Sequence, residues 1–108
     1  MEFRCIKVRL HPGRRARAVE WMRSFGERYS EAVEAMNNNG LRHEVVFLGS
    51  DADGDYLLMM QASDDFAATT RAFLNSTLPI DREALAVLDD IGERGQELPV
   101  LVQLHANE

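Results

Sequence analysis

The sequence of 108 residues is poor in several features that mark particular classes of protein. It contains one cysteine, Cys5, so a disulfide within the chain is excluded. Its first residues lack the basic and then apolar segments of a secretion signal, and we therefore expect a cytoplasmic protein. No apolar run approaches the roughly 20 residues that a membrane-spanning helix requires, so no membrane partner is expected.

Basic residues are scarce as well. Twelve Lys and Arg residues face 18 Asp and Glu residues, which gives a net charge of −6. Because binding to a phosphate backbone requires an excess of cations, nucleic acid is not expected as a partner. Residues 1–28 carry eight basic and three acidic side chains, whereas residues 29–108 carry four basic and fifteen acidic ones. The sequence therefore predicts a dipolar molecule.

What the sequence does contain is typical of one globular domain. The apolar fraction is 45% and the charged fraction 28%, without a linker, a repeat or a change of composition. A chain of this length buries about two-thirds of its surface on folding, which is enough for a single core. We expect one domain over residues 1–108.

The hydrophobic pattern of the first half predicts a strand and a long helix. Alternation of apolar residues indicates a strand over residues 3–10, and the period then changes to that of a helix about 23 residues long. The apolar stripe of this helix consists of Ala18, Met22, Phe25, Tyr29, Val33 and Met36. Residues 37–40 are typical of a helix end, and Gly26 allows a bend or a close approach to the sheet.

The second half predicts a hairpin, two helices and a last strand. The hairpin consists of a strand at residues 41–49, a turn at 50–55 and a strand at 56–61. The first helix after it is capped by Ser63 or Asp64 and has Phe66, Thr70, Phe73 and Leu74 on one face; the second is capped by Asp81 and has Leu85, Leu88 and Ile91 on one face. The last strand is predicted at residues 98–104. The order βαββααβ is typical of an α+β fold in which helices cover one face of a four-stranded antiparallel sheet.

Several of the predicted strands are apolar on both faces. An antiparallel sheet with helices on one face commonly turns polar side chains to water on the other. An apolar second face needs cover, and a second copy of the same sheet provides it. We therefore expect a homodimer, with the interface candidates Val45, Phe47, Leu57, Met59 and Leu101.

Four segments together resemble a known superfamily. They are the opening Lys7–Gly13 with its Pro-Gly turn, the long amphipathic helix, the hairpin from Val45 to Met60, and the closing Val100-Leu101-Val102. The chain resembles the dimeric α+β barrel superfamily, and within it a family of small uncharacterised bacterial proteins. The resemblance implies a ferredoxin-like fold. Characterised relatives include rhamnose mutarotase, quinol and haem-degrading monooxygenases and muconolactone isomerase, whose ligands usually sit between sheet and helices.

The catalytic sets of these relatives do not carry over. The tyrosine and histidine of the mutarotase pattern fall on Ala18 and Met22, which cannot transfer a proton. The Asn-His-Trp set of the haem-degrading relatives has no recognisable counterpart, although Trp21 is present. We interpret Trp21 as a half-buried helix residue or an interface anchor, and Tyr29 as a packed residue with its hydroxyl at an edge.

Polar residues of the predicted strands form one candidate ligand site. Strand alternation gathers them toward one end of an otherwise apolar surface; they are Lys7, Arg9, His43, Gln61, Gln103 and His105. In a functional interpretation they bind a small anionic or carbonyl-bearing ligand, with His43 or His105 as acid or base and a cation stabilising negative charge. In a structural interpretation they form a water-filled dimer interface with charge pairs such as Glu44 with Arg9.

A second group of cations lies at the predicted start of the first helix. Arg14, Arg15 and Arg17 stand where the helix dipole is positive and free backbone N–H groups point outward. One interpretation is an anion-binding site at the helix start. The other is pairing with acids from the remainder of the chain, within the subunit or across the dimer.

The sequence leaves two function classes open. The histidines lack metal-ligand spacing. A calcium loop that begins at Asp51 would need glycine at its sixth place and glutamate at its twelfth, where this sequence has Tyr56 and Ala62. We therefore expect no metal and no cofactor. The favoured interpretation is a homodimeric module of unknown activity. The alternative is a small-molecule binding protein or enzyme, of isomerase, mutarotase or monooxygenase type, with a pocket between sheet and helices.

Overall fold

A computed structural model describes residues 1–106, and these form an α+β fold of four helices and four strands. The elements are β1 (Glu2–Arg9), α1 (Arg15–Glu27), α2 (Tyr29–Asn39), β2 (Leu41–Asp51), β3 (Gly54–Ser63), α3 (Phe66–Leu74), α4 (Pro79–Ile91) and β4 (Gln96–Leu98). The strands form an open antiparallel sheet in the order β2-β3-β1-β4. The predicted α+β class and four-stranded sheet are confirmed. No helix within residues 1–106 is both long and apolar enough to cross a membrane.

The predicted long helix is two helices, α1 and α2, which meet at Arg28. The backbone of Arg28 leaves the helical conformation, with φ −110° and ψ 37°. Its guanidinium donates hydrogen bonds of 2.9 and 2.8 Å to Glu31 and one of 2.6 Å to Glu83, which ties the break to α4. Of the two alternatives for Gly26, a close approach to the sheet is wrong, because a Cβ atom there would meet no atom within 4 Å. The break lies two residues after Gly26, near the position where a bend was the other alternative.

The break changes which residues of the predicted stripe are buried. Trp21, interpreted as half-buried, is only 3% exposed, and its ring packs against Phe25 at a centroid distance of 5.2 Å. Tyr29, interpreted as packed, is 70% exposed because it begins α2 directly after the break. The predicted helix end is confirmed: Gly40 has a φ of +76°, the left-handed conformation typical of this position.

The residues that cap α3 and α4 lie one to three positions away from the predicted caps. Asp65, rather than Ser63 or Asp64, caps α3, and its carboxylate accepts a 3.2 Å hydrogen bond from a backbone N–H of the first turn. Helix α4 begins at Pro79, two residues before Asp81, because proline fits the first helical position well.

The buried faces of α3 and α4 also differ from the predicted ones. In α3 the buried residue is Thr69, whose hydroxyl lies 2.7 Å from that of Ser63 on β3, while Leu74 is exposed. In α4 Leu85 is exposed, and the buried residues are Ile80, Asp81, Val87 and Ile91.

The β2–β3 hairpin determines which side chains share a face. The strands continue further than predicted, to Asp51 and Gly54, and leave a turn of two residues. The carboxylate of Asp51 accepts a 2.9 Å hydrogen bond from the backbone N–H of Asp53, and Gly54 has a φ of +121°. Because Asp51 lies opposite Gly54, odd-numbered residues of β2 face even-numbered residues of β3, as far as a register shift between Leu41 and His43.

The core lies between the helices and one face of the sheet, here called the covered face. Its buried residues are Val8, Leu10, Ala18, Trp21, Leu57, Val87 and Ile91. Val8 and Leu57 are direct cross-strand neighbours on β1 and β3. The other side of the sheet is here called the open face.

The predicted last strand is wrong beyond Leu98. Strand β4 spans only Gln96–Leu98 and pairs with Cys5–Lys7 of β1. Pro99 follows, and because proline has no backbone N–H to donate, the ladder ends there. Residues 99–106, here called the tail, have no regular secondary structure and are exposed.

Candidate interface on the open sheet face

The open face consists of cross-strand rows of side chains. The rows are Phe3, Ala62 and His43; Leu98, Cys5, Met60 and Val45; Gln96, Lys7, Leu58 and Phe47; and Arg9, Tyr56 and Gly49. The second row is apolar across all four strands. Val45, Phe47 and Met60 are 52%, 49% and 49% exposed. A contiguous apolar surface of this kind is typical of an interaction site.

Charged side chains gather at the hairpin end of the open face. Arg9 donates hydrogen bonds of 2.8 and 3.0 Å to the carboxylate of Asp51 and one of 2.7 Å to the carbonyl oxygen of Gly54. Lys7 Nζ lies 3.6 Å from the same carboxylate. The hydrogen bonds from Arg9 lower the pKa of the Asp51 carboxyl to about 2. Asp51 therefore stays ionised and neutralises one of the two cations.

Tyr56 completes this charged cluster. Lys7 Nζ lies 4.4 Å, and the guanidinium carbon of Arg9 5.3 Å, from the centroid of the Tyr56 ring, distances at which an aromatic ring attracts a cation. The ring also lies against Gly49, where a Cβ atom would come within 2.5 Å of the ring atom Cε2. Glycine at this position makes room for the ring.

Other polar groups lie at the opposite end of the open face. His43 is exposed in the same cross-strand row as Phe3. Gln103 of the tail donates a 3.2 Å hydrogen bond to the carbonyl oxygen of Met1, and its Nε2 lies 3.0 Å from Nε2 of His105. The ring of His105 is 6.0 Å from that of Phe3. The charged cluster and the histidines are therefore at different ends of the sheet.

The six predicted ligand residues do not share one pocket, because Gln61 also lies on the covered face. There it accepts a 2.7 Å hydrogen bond from Arg4 and donates one of 2.6 Å to Glu44. These three residues are direct cross-strand neighbours and form a polar row that sequence analysis missed. The sequence did contain a signal for this row: Arg4 lies two and four residues before Ile6 and Val8, so it shares the covered face of β1 with them. The expected pair of Glu44 with Arg9 is wrong, since the two lie on opposite faces and Arg9 binds Asp51.

The interface candidates also lie on different faces. Val45 and Phe47 are on the open face. Leu57 and Met59 are on the covered face, packed in or against the core, because the two-residue turn places the even-numbered residues of β3 beside the odd-numbered ones of β2. Their assignment to an exposed surface is wrong, and the residues at positions 58 and 60 lie on the open face instead. Leu101 lies in the tail and is 94% exposed.

With this geometry in place, the comparison with known proteins assigns a family. A model described as a family of unknown function, DUF6176, matches residues 1–108. The chain belongs to the DUF6176 family. The sequence matches no curated protein. Because the family description names no activity, function has to be argued from the residues themselves.

The arginines at the start of α1 pair with acids in this member of the DUF6176 family. A guanidinium nitrogen of Arg14 lies 3.4 Å from Asp90, and one of Arg15 lies 3.3 Å from Asp55. Arg17 is exposed in the first turn of the helix. Arg14 and Arg15 thus lie beside acids of their own subunit, and the anion-binding interpretation stays a prediction.

Two open clefts lie on the surface of this DUF6176 member. One runs along the outer side of α1, and the other lies between the end of α2 and the starts of β2 and α3. The first is lined by residues of α1, and the second reaches only the end of the sheet, at Leu41, Arg42 and Ser63. Deeper between the sheet and the helices, Trp21, Leu57 and Ile91 fill the space. The ligand pocket between sheet and helices that the resemblance implies stays a prediction.

Proposed function

We propose that this protein is a homodimeric module whose two copies pack through their open faces. The observation that carries the proposal is the apolar row of Leu98, Cys5, Met60 and Val45, which crosses every strand and has no helix over it. Exposed apolar area of this kind is removed from water when two copies associate.

A second copy is the occupant that the charge distribution favours. Lys7 stands in the row next to the apolar one, but its ammonium lies 3.6 Å from Asp51 at the hairpin end. The centre of the open face, which is the row of Leu98, Cys5, Met60 and Val45, carries no charge. A two-fold axis through that centre brings apolar rows together and leaves the charges at the rim, as in an isologous interface. Because Asp51 already binds Arg9 and Lys7, few unneutralised charges lose water on association.

The size of the open face is also suited to a dimer. Strands β1, β2 and β3, each about 27–37 Å long, and the three-residue β4 lie about 4.8 Å apart and present on the order of 500 Å² per copy. A stable protein interface buries about 800 Å² per partner, so the sheet supplies most of that area.

The strand order supports a ferredoxin-like arrangement within this proposal. Strands β1 and β3 occupy the centre of the sheet, and β2 and β4 the edges. Helices on one face leave the other free to meet a partner sheet. Together with the resemblance of the opening strand, Pro-Gly turn and hairpin, this order supports a dimeric α+β barrel.

The test is the mass of the protein in solution and its response to Met60→Asp. The parent at micromolar concentration should sediment at twice the 12.2 kDa chain mass. Met60→Asp should give a folded monomer, with a dissociation constant raised at least about 100-fold, because the two-fold axis would bring two new charges into an apolar interface.

The matched control is Leu74→Asp. Leu74 is 60% exposed, more than Met60, but it lies on α3 and away from the open face. This variant should remain dimeric. A folded parent of 12.2 kDa, or a Met60→Asp variant that associates as strongly as the parent, would contradict the proposal.

A further inference from the structure

The tail is the most exposed apolar segment that the structure describes. Its large apolar residues and their exposed fractions are Val100 at 55%, Leu101 at 94%, Val102 at 69% and Leu104 at 84%. The segment is rich in β-branched and aliphatic residues, a composition that favours strands. Residues 1–106 leave more than half of each of these side chains exposed, and exposed apolar area of this kind is typical of a segment that binds a partner.

The tail cannot complete a ladder on its own sheet. Pro99 ends the pairing of β4 with β1. The other free edge of the sheet is the outer side of β2, three strand spacings, or about 14 Å, away across the sheet. The tail instead bends toward the open side, where His105 lies near Phe3 and Gln103 binds the carbonyl oxygen of Met1.

The outer edge of β2 is an open template for a further strand. β2 is eleven residues long and pairs only with β3. Natural edge strands are usually protected by charges, prolines, bulges or short length. β2 has a register shift only at its start, and residues 45–50 include no charged residue and no proline. The outer backbone N–H and C=O groups of β2 are therefore available to pair with another strand.

We propose that in the dimer each tail, at residues 100–104, adds as an edge strand to β2 of the other copy. The inference rests on the proposed function, because the open faces must associate to bring the tail of one copy near the β2 edge of the other. Five residues span about 17 Å, which is shorter than β2, so the edge can accommodate the whole segment. Under a two-fold axis the exchange is reciprocal: each tail pairs with the β2 edge of the other copy, and the assembly closes as a dimer.

Hydrogen exchange of the full chain tests the inference with the variant Val102→Pro. Proline removes a backbone N–H from the middle of the added strand and interrupts its ladder. In the parent, alternate amides of residues 43–50 that point away from β3 should exchange at least about ten times more slowly than in Val102→Pro, together with the amides of the tail. Ala106→Pro lies beyond the apolar segment and is the matched control, so its exchange should equal that of the parent.

The outcomes distinguish this inference from the proposed function. A dimeric parent whose β2 amides exchange as in Val102→Pro would overturn the tail inference and leave the open-face dimer intact. A monomeric parent would overturn both. If Val102→Pro is itself monomeric, a benzophenone side chain at position 102 of the parent, mixed with isotopically heavy chains, decides the matter. Cross-links to residues 43–51 of the heavy chain support strand exchange, and cross-links confined to other residues overturn it.

Discussion

The two faces of the sheet are built from similar residues but have different surroundings. Met59 and Met60 are adjacent in β3, yet Met59 packs against the core under the helices and Met60 is 49% exposed on the open face. Leu57 and Leu58 differ in the same way, with only Leu57 in the core. Composition therefore does not decide which apolar residues are buried within the subunit. Strand register and the placement of helices decide it, and what remains exposed is available for assembly.

The largest loss of stability should come from truncating Trp21, whose side chain fills the core under the covered face. Trp21→Ala deletes a residue that is 3% exposed and packs against Phe25 with its ring tilted, so the free energy of unfolding should fall by about 4 kcal/mol. Urea denaturation followed by circular dichroism measures this. Tyr29→Ala is the matched control from the same predicted stripe, and because Tyr29 is exposed, the expected loss is below about 0.5 kcal/mol. Equal losses would show that the break at Arg28 does not separate these environments.

The sharpest test of the comparison uses the two adjacent methionines. Met59→Asp places a charge against the core, whereas Met60→Asp places it where a monomer leaves it in water. We expect Met59→Asp to be less stable than Met60→Asp by about 3 kcal/mol. Thermal and urea unfolding of both variants at the same low concentration gives the difference. Similar stabilities would mean that the assignment of the two faces is wrong.

A smaller and pH-dependent effect should come from the charged cluster of the open face. Arg9 lowers the pKa of Asp51 to about 2, below the ordinary value of about 3.9. A depressed pKa means that the unfolded state binds the proton more readily. The pair therefore stabilises the fold fully above about pH 4, and the stabilisation is lost as the pH falls toward about 2.

The variants Asp51→Asn and Asp53→Asn test this dependence. Asp51→Asn should be less stable than the parent at pH 6, and the difference in urea midpoint should shrink to nothing near pH 2. Asp53 contributes its backbone N–H to Asp51, which the asparagine variant retains, so Asp53→Asn should show no comparable pH dependence. A difference between Asp51→Asn and the parent that stays constant from pH 6 to 2 would contradict the role of the Arg9 pair.

Much of the secondary structure could be predicted because short-range patterns determine it. Alternation identified β1, and the Asn-rich segment ending at Gly40 marked the end of α2. The two strands of the hairpin were also placed, although each continues further toward the turn than predicted. The break at Arg28 was missed because it depends on Glu83, which is 55 residues away in sequence. No local period carries that information.

The candidate site was harder to predict because it depends on register. The same apolar run at residues 57–60 offers two alternating sets, and the choice between them follows from the exact length of the turn. Predicting a six-residue turn left that choice open. Buried polar contacts were equally out of reach: Asp81, expected as a helix cap, is buried and accepts a 2.9 Å hydrogen bond from Asn39. Both depend on tertiary neighbours rather than on local sequence.

The register shift at the start of β2 has a consequence for how the chain could change in length. Leu41 lies opposite Ser63 and His43 opposite Ala62, so Arg42 is one residue more than the ladder requires. Its side chain reaches Asp64 at 2.6 Å, but both are exposed, and such a surface pair contributes little. Deleting Arg42 would leave every other residue of β2 on its present face. Deleting Val45 instead would shift the residues between the helix end and position 45 by one, so that each of them would change face and the charged side chains there would move to the other face of the sheet. The chain thus has one position in β2 at which it can shorten by a single residue without exchanging inside for outside.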